Sequence, residues 1–157
     1  MRKKLWLTII AVSVLLSSLM FALPVVAQDE CPQCPCGCEG LTPGYWKNHT
    51  DAWECYSPGT LLGDIFTFPA SFSNLADDTL LEALQYKGGN DVEGAARIFL
   101  RQAVAALLNA CSTELNYPYT EAQVIDIVNI VLGWQDRDAF LWNKDVLEAA
   151  NELGTSS

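Results

Sequence analysis

The sequence predicts an all-α domain, an irregular or orthogonal bundle of about five helices, preceded by a segment rich in cysteine, proline and glycine. Three observations support this fold class. From residue 41 onward apolar residues recur at helical spacing, alternating strand-like patterns are absent, and capping residues precede the longest periodic stretches. We therefore expect a cysteine-rich segment over residues 28–40 and a single helical domain over residues 41–157.

The first helix is expected to begin at Thr42, which suits the N-cap, with Pro43 at the first helical position, where its missing N–H does no harm. Trp46, His49 and Trp53 then follow at i, i+3 and i+7, which places them on one helical face. A lone histidine on an aromatic face is more often packed than catalytic. We therefore expect both indoles to pack in the core against the long helix, and His49 to bridge polar groups inside.

Two shorter elements are expected next. Apolar residues at 61, 62, 65 and 66 suggest a helical turn that Pro69 stops. Residues 71–87 are ambiguous, although the leucines at 80, 81 and 84 suggest a helix of two turns closed by Gly88 and Gly89.

Three longer helices complete the domain. The first is expected over residues 91–110, with Asn90 and Glu93 as a capping box and a run of alanines that lets a neighbour approach closely. The second begins after Thr120, which caps it together with Gln123. The third runs from Asp136 or Asp138 to residue 153, with residue 154, a glycine, as its C′ residue. The core face expected for this last helix comprises Phe140, Leu141, Val146, Leu147, Ala150 and Leu153.

Residues 1–27 have the pattern of a cleavable signal peptide. Three basic residues precede an apolar stretch, and Val25 and Ala27 supply the small residues of a cleavage site before Gln28. The alternative is a retained anchor, because the apolar stretch approaches the ~20 residues that a spanning helix needs. After cleavage no membrane span is expected, and the protein is expected to be secreted or attached to the cell surface.

The charge excludes one class of partner. The chain has 9 basic and 19 acidic residues, a formal net charge of −10, and three of the basic residues lie in the predicted signal peptide. So acidic a domain repels phosphate backbones, and we therefore expect no nucleic-acid partner.

Six cysteines follow the signal peptide, an even number that is typical of disulfide-bonded exported domains. Cys55 and Cys111 are expected to pair with each other, because the other four are close enough to pair among themselves. The cluster has two alternative interpretations, namely a single tetrahedral zinc site or a tether to another chain. All six are predicted to be oxidised and free of metal: Cys31, Cys34, Cys36, Cys38, Cys55 and Cys111.

No catalytic group stands out. His49 is the only histidine, no G-x-S-x-G sequence occurs, and the acidic pairs do not fit a calcium loop. The aromatic residues are expected mainly in the core, with stacking on sugar rings as the alternative. Any recognition is assigned to the exposed edge of the first helix, and the candidate binding residues are Tyr45, Lys47, Asn48, His49 and Asp51. We expect no metal site and no cofactor.

The nine residues from 41 to 49, L-T-P-G-Y-W-K-N-H, followed by Trp53, resemble a group of uncharacterised secreted microbial proteins with a T-P-G-[YF]-W-K-N-H motif. The resemblance continues through residues 62–66 and 101–110 and so covers most of the chain after residue 40. It implies an extracellular or surface module and assigns no catalytic residue. The cysteine cluster is not part of the motif.

The sequence thus predicts a structural or interaction module without catalytic activity, whose partner is a cell-envelope protein or a polysaccharide. One alternative is a glycan-binding or glycan-processing protein that uses the aromatic and acidic residues. A second alternative is metal binding by the cysteine cluster.

Overall fold

The computed structural model describes residues 37–154. The predicted signal peptide, residues 28–36 of the cysteine-rich segment and residues 155–157 lie outside the described residues. Within the described range the protein is all-α, with six α-helices, three 3-10 turns and no β-strand beyond an isolated bridge between Leu61 and Thr79. The predicted fold class is confirmed.

The long helix α4 is the centre of the bundle, because α1, α3, α5 and α6 all pack against it. The 3-10 turns, Thr50–Ala52, Leu62–Asp64 and Ala70–Phe72, lie in the connections before it. The helices are α1 Pro43–Asn48, α2 Ser73–Ala76, α3 Leu80–Ala83, α4 Val92–Cys111, α5 Glu121–Trp134 and α6 Arg137–Asn151.

The composition of α4 explains its central position. Its alanines and leucines are almost all fully buried, and such small side chains allow close approach of neighbouring helices on several sides. Its N-cap is Asp91, not the predicted Asn90: the Asp91 carboxylate accepts from the Gly94 N–H at 2.8 Å. The loop also packs tightly on this first turn, because a Cβ on Gly94 would lie 2.3 Å from the Gly89 nitrogen.

Local capping signals set the starts of the next two helices as predicted. Thr120 and Gln123 form a reciprocal capping box at α5. Asp136, the first of the two candidates, caps α6 by accepting from Ala139 N at 2.8 Å. However, α6 ends two residues before the predicted Leu153, and the left-handed glycine at 154, with φ +77°, follows after a turn.

The first helix is shorter than predicted, and this changes the environment of two residues. It ends at Asn48, where His49 leaves the helical conformation with ψ 57°. The Trp53 indole N–H donates to the Trp46 carbonyl at 3.0 Å. In a helix one turn longer, this carbonyl would instead accept from the backbone N–H four residues on. Trp53 is consequently only half-buried, and the prediction that His49 is packed inside is wrong, because His49 is exposed.

The aromatic residues divide between core and surface. Trp46 is 3 % exposed and belongs to the core with Phe99 and Phe140. Trp134 and Trp142 are 58 % and 66 % exposed, so the expectation that the aromatic residues lie mainly in the core is wrong for these two. On the core face predicted for α6, Phe140, Leu147 and Ala150 are buried, Leu141 and Val146 are half-buried, and Leu153 is exposed.

The predicted Cys55–Cys111 disulfide is present, with its Cα atoms 6.2 Å apart. It joins the segment after α1 to the C-terminal end of α4. Cys38 is also disulfide-bonded, as predicted, whereas Cys31, Cys34 and Cys36 lie outside the described residues. Every helix within residues 37–154 is too short or too polar to cross a membrane.

Candidate functional site

The inward side of the α1 motif is fixed by one buried amide. The Asn109 Oδ1 atom accepts from the Trp46 indole N–H and from the Leu41 backbone N–H, both at 2.9 Å. The Asn109 Nδ2 group donates in return to the Leu41 carbonyl at 2.9 Å. Asn109 is fully buried. A single side chain on α4 therefore binds both Leu41, in the segment before α1, and Trp46 in the helix itself.

This amide belongs to a wider buried network. Asn109 donates to Asn151 Oδ1 at 2.9 Å, and the Tyr117 hydroxyl donates to the same oxygen at 2.7 Å. Asn151 in turn donates to the carbonyl and side-chain oxygens of Gln102, and Gln102 Nε2 donates to Glu148 Oε1 at 3.0 Å. Such networks specify one arrangement, because each unpaired member would cost free energy. The network therefore couples α1, α4 and α6.

The outward side of the motif carries a stacked aromatic pair. The Tyr45 and His49 rings lie 4.1 Å apart at an angle of 14°. His49 Nδ1 lies 2.8 Å from the Tyr45 carbonyl oxygen, which can only accept, so Nδ1 carries the hydrogen. In the neutral ring this leaves Nε2 as an acceptor on an exposed side chain.

A polar cleft of about 260 Å³ lies beside α1, against α4 and α6. Lys47 lines it, and at 100° per residue Lys47 lies on the opposite side of Trp46 from the Tyr45–His49 pair. The charged and amide residues of the cleft come from three helices and the residue that follows α6: Lys47, Arg101, Gln102, Glu148 and Glu152.

The structure distributes the five predicted binding residues over separate surfaces. Tyr45 and His49 are brought together, whereas Lys47 faces the cleft. Asn48 lies between these two surfaces and donates to the Gly44 carbonyl at 2.9 Å. Asp51 is exposed in the following 3-10 turn. Their role in binding stays a prediction.

Among the described residues, the one group of three metal-ligating residue types that comes together is Cys55, Cys111 and Glu121. Its two sulfur atoms form the disulfide. Because metal binding by cysteine requires the thiolate, this group is not a metal site in the oxidised protein.

Burial raises the pKa of Tyr56, Tyr86 and Tyr117 well above 10, and the carboxylates of Glu121 and Asp78, which accept from the first two, add to the rise. The unfolded chain loses these protons near pH 10. The stabilisation is therefore complete below about pH 10 and is lost as pH rises through the folded pKa values. In a spectrophotometric titration, we expect the phenolate absorbance of these three tyrosines to develop only when the protein unfolds at alkaline pH. Full reversible titration of all five tyrosines near pH 10 in the folded protein would contradict this.

Comparison of the chain with protein families, with curated proteins and with solved structures finds no match.

Proposed function

We propose that this protein is a secreted or cell-surface recognition module that binds a partner without catalysis, through the side chains presented by α1. One observation carries the proposal: a buried network holds a helix of only six residues, while Lys47, Asn48 and His49 remain exposed. So short a helix is not stable alone. Positioning it with buried amides is typical of a surface whose geometry matters for binding.

The proposed compartment is supported by the cysteines. The Cys55–Cys111 disulfide and the disulfide-bonded state of Cys38 suit an oxidising environment outside the cell. The bonded state of Cys38 also argues against the alternative of a four-thiolate zinc site in the cluster, because such a site needs four thiolates.

Glycan binding is a second candidate, and exposed rings favour it. The stacked Tyr45–His49 pair and the exposed indoles of Trp134 and Trp142 offer ring faces of the kind on which sugars stack. On α1 itself the Tyr45–His49 pair is the ring face available to a sugar, so a polysaccharide of the cell envelope suits α1 as well as an envelope protein does.

The test uses the protein recovered from the medium, whose intact mass is expected to correspond to a chain beginning at Gln28. On an array of neutral and acidic envelope polysaccharides and envelope proteins, we expect saturable binding that Lys47→Ala or His49→Ala weakens at least about tenfold, the loss of roughly 1.4 kcal/mol. Lys87→Ala is the matched control, because Lys87 is an exposed cation away from α1. Turnover of a bound polysaccharide, or binding that neither α1 variant alters, would contradict the proposal.

A further inference from the structure

We infer that the cleft beside α1 binds a carboxylate that also carries hydroxyl groups, which is the chemistry of a uronic acid. This inference rests on the proposed function, because it names the ligand class of one of the surfaces that α1 presents. The inference rests on two cations of the cleft that form no ion pair, on an arginine donor without an acceptor, and on a lining carboxylate that can accept from hydroxyl groups.

The cations of the cleft are unusual in so acidic a chain. Residues 37–154 contain six lysines and arginines, and three of these form ion pairs with neighbouring carboxylates on their own helices. Lys47, Lys87 and Arg101 form no ion pair with the described residues. Two of these three cations line the same cleft. An anion that enters it therefore meets two cations that are not tied up in ion pairs, beside the carboxylates of Glu148 and Glu152 in the same lining.

Arg101 also lacks acceptors for its guanidinium group. Its Nη1 donates to the Tyr86 carbonyl at the long distance of 3.4 Å, and its Nε is buried without a hydrogen-bond partner in the described structure. A buried donor without an acceptor costs free energy. A carboxylate is the acceptor whose two oxygens match the guanidinium fork, and Lys47 can bind the same anion as a point charge.

The carboxylate of Glu148, which also lines the cleft, favours hydroxyl groups. Glu148 accepts from Gln102 through Oε1, at 3.0 Å, and from Lys144 through Oε2, at 2.7 Å. Lys144 also pairs with Asp145 at 2.5 Å, so it offsets the charge of Glu148 only in part. The remaining lone pairs of the Glu148 carboxylate can accept from neutral hydroxyls, whereas a second anion would be repelled there. The volume of about 260 Å³ lies just below the range of about 300–1,000 Å³ that is usual for ligand sites, so the cleft has room for one sugar ring or the end of a chain.

The experiment is calorimetric titration of the whole mature protein with galacturonic acid, with galactose as the uncharged counterpart and with polygalacturonate as the polymeric source. We expect saturable binding of galacturonate, no binding of galactose, and a dissociation constant raised about tenfold or more in Lys47→Ala and Arg101→Lys. Lys87→Ala should bind like the unaltered protein, and all three variants should keep the helical circular dichroism spectrum. If galacturonic acid and polygalacturonate bind with similar affinity, counted per chain end, the single sugar ring is the ligand. If polygalacturonate binds more tightly, the ligand is the polysaccharide.

Equal binding of galactose and galacturonate would overturn the inference, as would binding of galacturonate that Lys47→Ala leaves unchanged. If no uronate binds but another ligand on the array is lost in Lys47→Ala, this inference fails and the proposed function stands. If nothing on the array binds saturably, both fail.

Discussion

Replacing Trp46 with alanine is expected to lower the free energy of unfolding by about 3–5 kcal/mol, a large part of the stability of a domain of this size. The indole is almost fully buried among the core residues of α4 and donates to Asn109. Its removal leaves a cavity and deprives Asn109 of one donor. Urea unfolding followed by circular dichroism measures the loss.

Two further substitutions separate the contributions. Trp46→Phe keeps most of the ring and removes the N–H, and we expect it to cost far less than the alanine variant. Trp53→Ala is expected to cost less than Trp46→Ala, because Trp53 is only half-buried. Asn48→Ala serves as the surface control, with an expected change within about 0.5 kcal/mol. An unchanged unfolding midpoint in Trp46→Ala would contradict the burial of Trp46 in the core.

Replacing Cys55 and Cys111 together by alanine is expected to lower the free energy of unfolding by about 4 kcal/mol, the loop-entropy value for a bridge that spans 56 positions. The bridge links the segment after α1 to the end of α4, so its loss relaxes the unfolded chain more than it alters helix packing. The variant should therefore remain helical and melt at a markedly lower temperature. A peptide map of the unreduced protein should link the two cysteines, and a peptide that joins either one to residues 31–38 would contradict the pairing.

The helix starts could be predicted because their signals are local. Thr42, Thr120 and Asp136 each cap a backbone N–H three residues away, so the relevant partners are adjacent in the sequence. At α4 two neighbouring residues compete for the same role, and the sequence pattern selected the wrong one by a single position. The capping of Gly94 by Asp91 depends on how the glycine loop packs on the first turn.

The end of α1 was predicted too late in the chain, because the contact that accompanies it comes from a residue outside the helix. The spacing of Trp46, His49 and Trp53 fits a continuous helix, whereas in the structure the Trp53 indole N–H donates to the Trp46 carbonyl and no further helical turn follows. Because α1 ends at Asn48, His49 lies at its exposed end, and its ring stacks on that of Tyr45.

The cleft beside α1 could not be predicted either, because its residues are far apart in the sequence. Lys47, Arg101 and Glu148 lie roughly fifty positions apart in the chain, and each alone resembles an ordinary surface charge. The buried amides Asn109 and Asn151 carried a usable signal, because each interrupts the apolar face of a helix. Such a residue needs an internal partner when it is buried.

The most direct test of recognition through α1 is amide chemical-shift mapping of the isotopically labelled mature protein during titration with the ligand that binds on the array. We predict saturable shifts that concentrate on α1 and on the residues of α4 and α6 facing it, with Lys47 and Gln102 among the largest. Shifts confined to the opposite side of the bundle, around Ile130 and Trp134 on α5, would contradict it.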